Sequence, residues 1–529
     1  MSADQFRELG HRFIDWIADY WQRVDTLPVL SQAAPGQVFH ALPEHAPEQG
    51  LGPAGWEEFF RDLERIVMPG ITHWQSPNFF AYFPANVSGP AVLGELLSAG
   101  LGVQGMLWQT SPACTELEMR MMDWLGEAIG LPSEFLFSGR SPATGGTGNR
   151  GKGGGVIQGT ASEAALVAMV AARRQAVKAG ADAAALVAYT SEQAHSSILK
   201  AAMICGLAAD ASDRHGLRMV PTIEDHSMDA GVLERMMRED IAAGRVPFLV
   251  CASVGTTGST AVDRISEVAA AIRAAHDSAF AGANGDQARK TPAPARSAGS
   301  PRNPWLHVDA AHAGAACICP EFRWMLDGVE HADSICFNPH KWLLTNFDCN
   351  CFWTRDASAL VDAMSVTPEY LRNAASESGQ VVDYRDWQVP LGRRFRALKL
   401  WLVMRHYGIE GLRAYIREHV RLAGLFESWV RADERFEVCA PRTVNLVCFR
   451  LRPGPGEDAA AADGRNRALM QRLNASGKLY LTHTSLPVWR GGARAMGESM
   501  VVLRMAIGAT STTEKHIQQA WQEVRASAD

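Results

Sequence analysis

Lys341 is the residue whose neighbours first suggest chemistry. It stands in Asn338-Pro339-His340-Lys341-Trp342-Leu343-Leu344, behind the apolar run Ser334-Ile335-Cys336-Phe337. A surface lysine is a solvated cation, but an amine among these neighbours is partly desolvated, which disfavours its charged form. A neutral amine can attack an aldehyde to form a Schiff base.

Upstream, Leu306-His307-Val308-Asp309-Ala310-Ala311 reads as a buried strand ending in a carboxylate. Such a carboxylate can keep a pyridine nitrogen protonated, which is what makes pyridoxal phosphate an electron sink. Strands ending in Asp309 and just before Lys341 open on the same edge of a parallel sheet. Neither residue is specific alone; the pair in its apolar context is.

Other residues gain meaning from that pair. Val156-Ile157-Gln158-Gly159-Thr160-Ala161-Ser162-Glu163 leads into a helical run, with Thr160 or Ser162 as its cap. A helix start behind glycine offers free N–H groups to an anion. His195 follows the apolar strand Ala185–Tyr189, where an imidazole could stack on a flat cofactor or simply be structural. The stretch from Trp74 to Pro84, dense in aromatics and prolines, reads as irregular: a packed loop or the wall of a pocket for a flat apolar ligand.

The elements that must position these groups alternate. Strands at Ala185–Tyr189, Pro247–Ala252, Leu306–Asp309 and Ser334–Phe337, separated by helical patterns, imply an α/β fold with a mostly parallel central sheet flanked by helices. Before them come helices at Gln5–Arg23, Trp56–Val67, Pro90–Leu101 and Cys114–Ile129. Residues 138–155 read as a mobile glycine-rich stretch, and 281–304 as a disordered surface insertion.

Composition sets the limits. A chain of 529 residues needs two or three cores, and 47% hydrophobic with 20% charged content is ordinary for a globular protein. A formal net charge of -6 gives no footprint for nucleic acid. The start Met1–Arg7 lacks a signal-peptide core and no apolar run is long enough for a membrane, so a cytoplasmic location is expected. Ten cysteines there suit reduced thiols, and Cys317-x-Cys319 and Cys349-x-Cys351 read as strand alternation; no metal is expected.

Six segments in order carry a resemblance: Ser111–Glu118, Gly159–Ala164, Gln193–Ser197, His307–Ala311, Asn338–Trp342 and Asp383–Arg396. Together they resemble the aromatic-L-amino-acid decarboxylases, of the group II pyridoxal-phosphate decarboxylases. The departures are the glycine-rich stretch, the insertion, and His312 where the family often has Tyr.

The resemblance implies an aspartate-aminotransferase-like fold (PLP fold type I) in three parts. These are an N-terminal segment, 1–84, interlocking a homodimer; a large cofactor domain, 85–398; and a small C-terminal α/β domain, 399–529. The small domain is expected to have strands at Val444–Leu451, Leu479–Thr484 and Val501–Ile507. It also implies roles. Lys341 carries pyridoxal 5'-phosphate, Asp309 pairs its ring nitrogen, His195 and Ala311 cover its two faces, and Thr256 lies by its ring hydroxyl. Ala161, Ser162 and Asn338 hold its phosphate, with His340 beside them, and Tyr370, on a mobile loop, protonates the product.

Tyr82, Phe83, Pro84, Gln104, Met106 and Gly392 are expected to line the substrate, an aromatic amino acid, with the active site at the subunit interface. The resemblance ties Gly at position 392 to acceptance of indoles, so tryptophan is favoured, ahead of Dopa, tyrosine and phenylalanine. The expected reaction is decarboxylation to an arylalkylamine. The alternatives are an oxidative relative that releases an aromatic acetaldehyde, and a binding protein on an inherited scaffold. Tyr370 and His195 favour the amine-forming enzyme over the first, and intact Lys341, Asp309 and His195 over the second.

Overall fold

Alternate residues of the central strands enter two different cores, and this alternation builds the larger part of the molecule. The strands are β1 (Gly154–Gln158), β2 (Leu186–Ser191), β3 (Leu217–Val220), β4 (Val246–Ser253), β5 (Trp305–Asp309), β6 (Ser334–Phe337) and β7 (Asn350–Thr354). Ile157, Tyr189, Val250, Val308 and Ile335 pack on one face, while Val156, Ala188, Leu249, Trp305 and Cys336 pack on the other. Both faces are therefore covered by helices, as a largely parallel sheet requires. The computed structural model describes residues 1–52, 55–138, 153–281, 303–366 and 368–528, apart from the side chains of 278–281 and 370.

The strands lie in the order β1-β7-β6-β5-β4-β2-β3. β7 runs against both its neighbours, and all the others point the same way. Their C-terminal ends thus share one edge, where the loops after β1, β2, β4, β5 and β6 gather. Cys349 and Cys351 enter the same core, as strand alternation predicts.

One sequence expectation changes here. The glycine-rich stretch read as mobile ends inside the sheet, because β1 begins at Gly154. A Cβ at Gly154 would lie 2.5 Å from Phe137, and one at Gly155 would lie 2.8 Å from Trp353, so these glycines allow close packing. Residues 139–152 lie outside the described residues, as do 282–302 of the expected insertion. The end of β1 is anchored by a fully buried pair: Arg393 Nη2 donates to Glu118 Oε1 at 2.6 Å and to the Ile157 carbonyl at 2.9 Å. The same Glu118 oxygen accepts the Ile157 N–H at 2.7 Å.

A second, antiparallel sheet has the order β10-β11-β9-β8, from β8 (Phe436–Val438), β9 (Leu446–Leu451), β10 (Thr482–Arg490) and β11 (Ala493–Ala506). Sequence reading missed β8 and the length of the β10–β11 hairpin. The helix Ala397–Ala432 links the two sheets and breaks at Gly408, whose φ is 62°. Its residues up to Ile416 join the core of the large sheet, and those from Leu422 join the small one. The expected boundary at 399 therefore falls within the first part of this helix.

The stretch from Trp74 to Pro84 is irregular, as expected, and seats on the small sheet. Phe80 N–H donates to the Tyr480 carbonyl, and the Phe80 carbonyl accepts the Ala506 N–H, both at 3.0 Å. At the N-terminus, the helix Ala3–Arg23 lays Phe13 against Trp56, Phe59 and Phe60 but buries none of its own residues. No described helix is long and apolar enough to cross a membrane.

Candidate active site

A cavity of about 210 Å³ opens at the shared strand edge. Around it stand Ala161 and Ser162 after β1, His195 after β2, Thr256 after β4, Asp309 and Ala311 at the end of β5, and Asn338, His340 and Lys341 after β6. All the cofactor residues expected from the sequence line this one space.

Local structure fixes each of them. The helix Ala161–Lys178 starts at Thr160, whose side chain makes no cap hydrogen bond; Glu163 Oε2 instead accepts the Gly159 N–H at 2.9 Å. The expected Thr160 or Ser162 side-chain cap is therefore absent, which leaves first-turn N–H groups to another acceptor. His195 caps the helix Ser196–Ile204, its Nδ1 accepting the Ser197 N–H at 3.1 Å, so Nε2 carries the proton of the neutral ring. Asp309 Oδ1 accepts the Ala311 N–H at 3.0 Å. Thr256 Oγ1 accepts the Ala261 N–H at 3.1 Å, and His340 Nδ1 accepts the Cys349 N–H at 2.9 Å.

Electrostatics favour a reactive amine. Burial lowers the pKa of Lys341 and the nearby Arg504 lowers it further, against the opposing pull of Asp309 and Cys336. Burial also keeps the surrounding imidazoles neutral: His195 is lowered, and His312 and His340 fall to about 3.

Phe83 is the one expected substrate residue that lines this cavity. Its ring lies 3.7 Å from that of His312, nearly parallel, with Lys341 Nζ 5.6 Å and the Arg504 guanidinium 5.1 Å from its centre. Tyr82 and Pro84 flank it in sequence but do not line the cavity. Gln104, Met106 and Gly392 form a separate patch, in which Arg393 N–H donates to Gln104 Oε1 at 3.3 Å and Arg385 N–H to the Met106 carbonyl at 3.1 Å. The side chain of Tyr370 lies outside the described residues; its backbone belongs to the short turn Glu369–Leu371.

Sequence reading missed several neighbours. Arg504 is 3% exposed and has no ion pair among the described residues. Ser253, Thr257 and Phe347 also line the cavity, and His312, noted only as a departure, is held by Asn445 at 2.8 Å. No sequence signal set Arg504 apart from other strand arginines.

Comparison with known proteins decides the family. Residues 35–452 match the pyridoxal-dependent decarboxylase conserved domain. The chain belongs to the pyridoxal-dependent decarboxylases. It is 44% identical to a phenylacetaldehyde synthase of Arabidopsis thaliana, covering 100% of this chain and 96% of that protein. It is 43% identical to tryptophan decarboxylase 2 of Oryza sativa subsp. japonica, covering 100% and 95%. The crystal structure of Oryza sativa TDC with PLP and tryptamine superposes with a TM-score of 0.85, at 40% identity over 100% of this chain and 98% of that one.

The residues of this decarboxylase fit pyridoxal phosphate. An uncapped helix start suits a phosphate, and Ala161, Ser162 and Asn338 line the same cavity. An amine of lowered pKa stands beside a carboxylate at the same edge. Because its pKa is lowered, the neutral, nucleophilic amine exists at lower pH than for a free lysine. Recombination of the apoenzyme with pyridoxal phosphate should therefore accelerate with pH with a midpoint below 10.5, the ordinary lysine value. A midpoint at or above that value in stopped-flow absorbance would contradict the assignment.

Proposed function

We propose that this decarboxylase converts aromatic L-amino acids, tryptophan foremost, into arylalkylamines and carbon dioxide. The observation that carries the reading is the meeting of Lys341, Asp309 and His195 at one sheet edge around a cavity walled by Phe83. When bound, pyridoxal phosphate supplies an electron sink for the pair left by the departing carboxylate. Lys341 would hold the cofactor through its amine, and Asp309 would keep a proton on the ring nitrogen. His195 and Ala311 would cover the ring's faces, with Thr256 at its hydroxyl. The N–H groups of Ala161 and Ser162, with Asn338 and His340, would seat the phosphate. Phe83 excludes water from the reacting carbon. Tyr370 would hold the proton that this carbon takes up.

The second subunit belongs to this reading. Leu93, Leu96, Leu97 and Leu101 stand out of the helix Gly89–Leu101, each about half exposed or more, and Phe6 is 61% exposed on the N-terminal helix. Apolar faces of this kind suit a second copy of the chain. We infer a homodimer in which Gln104, Met106 and Gly392 of one copy, with Tyr82 and Pro84, complete the substrate pocket at the interface. A fully active monomer in light scattering would count against it. Ten free cysteines fit a cytoplasmic enzyme.

A relative named as an aldehyde synthase makes the oxidative route the specific alternative. With tryptophan, the wild type is expected to release amine and carbon dioxide in equal amounts. Tyr370→Phe removes the proton donor and should divert product to aldehyde, ammonia and peroxide, with uptake of oxygen. Aldehyde from the wild type, or unchanged amine output from Tyr370→Phe, would sink this part of the mechanism.

Gly392 bears on substrate choice. Its φ is outside the left-handed region, and a Cβ there would meet only Gln104 Oε1, at 3.5 Å, so the backbone does not demand glycine. A hydroxymethyl would narrow the slot for a two-ring side chain. Gly392→Ser should lower kcat/KM for tryptophan relative to tyrosine by about tenfold. An unchanged ratio with normal folding would remove Gly392 from the specificity pocket.

A further inference from the structure

The two sheets also meet at a contact that the chemistry above does not use. β11 pairs with β9 only through Leu503–Ala506, whereas β10 and β11 continue together out to Arg490 and Ala493. The outer hairpin is largely exposed, with Met496 at 84%. A two-stranded ribbon of this kind is marginal by itself and needs a contact to hold it.

That contact is Arg494. Its Nη1 and Nη2 donate to the two carboxylate oxygens of Glu192 at 2.7 and 3.0 Å. Both side chains are about three-quarters covered, at 24% and 25% exposure. Glu192 Oε1 also accepts the Thr222 N–H at 3.1 Å and its hydroxyl at 2.8 Å. Paired bonds of this type fix orientation as well as distance.

Glu192 is the first residue after β2, and the turn beyond it has little slack. Its own N–H donates to the Val220 carbonyl, and Ala194 N–H donates to the Ser191 carbonyl, both at 3.0 Å. Gln193 N–H donates to Ser191 Oγ at 3.1 Å. His195 comes next, its ring held by Ser197. Whatever fixes Glu192 therefore fixes the start of the segment that aims His195.

We propose that Arg494 is a positioning residue: the β10–β11 hairpin, through its pair with Glu192, clamps the loop after β2 and holds the His195 ring over the cofactor. This rests on the assignment of His195 to the cofactor's face made above. The clamp ties the small sheet to the cavity of the large one without touching the reacting atoms.

The test uses the holoenzyme and two readouts besides turnover, the Kd for pyridoxal phosphate and the induced circular dichroism of the bound cofactor. Arg494→Gln should weaken cofactor binding by about fivefold and reduce the induced signal. Arg494→Lys, which keeps the charge and can donate to Glu192, should retain much of both. If Arg494→Gln lowers only thermal stability and leaves Kd and induced signal unchanged, the clamp is structural and the proposal is wrong. His195→Ala separates the two levels. A changed signal in His195→Ala but not in Arg494→Gln overturns the clamp alone, and no change in either overturns the His195 assignment with it.

Discussion

The desolvated amine of Lys341 is the constraint on which the site depends. Taking an ammonium out of water is costly, and the group answers by a lowered pKa. The surroundings could undo this by adding negative charge, and Asp309 does pull the other way. Arg504, whose guanidinium lies 5.1 Å from the Phe83 ring centre, acts in the same direction as burial. The imidazoles of His195, His307, His312 and His340 are kept neutral by burial, so they leave the balance undisturbed. The charge that matters is thus confined to Lys341, Asp309 and Arg504.

This arrangement requires both sheets. The large sheet brings Lys341 and Asp309 to one edge because β5 and β6 run parallel. Arg504 comes from β11, and Phe83 comes from the irregular stretch that lies on the small sheet. His312 joins the parts: its ring stacks between Phe83 and Trp342, and Asn445 of the segment before β9 holds its Nε2. Where the resemblance leads one to expect Tyr, His312 is partnered through Nε2 alone, and its Nδ1 has no hydrogen-bond partner among the described residues.

What was legible in the sequence follows from how each residue reaches the site. Asp309 ends a buried strand, Lys341 and His195 lie in the loops just beyond two others, and buried parallel strands read as continuous apolar runs that point to their own C-terminal ends. The expected cap at Thr160 is absent: its hydroxyl takes no first-turn N–H, and the Glu163 carboxylate reaches back to the Gly159 N–H. Gly154 and Gly155 looked like a flexible run because a glycine chosen for close packing has the same letter as one chosen for freedom. Arg504 and Arg494 were not legible, since long-range packing alone gives a strand arginine its role. Gln104, Met106 and Gly392 were singled out by resemblance, and within one chain they lie apart from the cavity.

The central claim is that Lys341, among the lysines of this chain, bonds the cofactor. Lys399 is the sharpest competitor: it is buried, pairs with Glu95 at 2.8 Å, and has its pKa lowered to about 8. Borohydride reduction of the holoenzyme makes the lysine–cofactor bond permanent, and peptide mass mapping then locates it. A single pyridoxyl phosphate label on Lys341 is expected. A label on Lys399 or on any other lysine, with Lys341 unmodified, would contradict it.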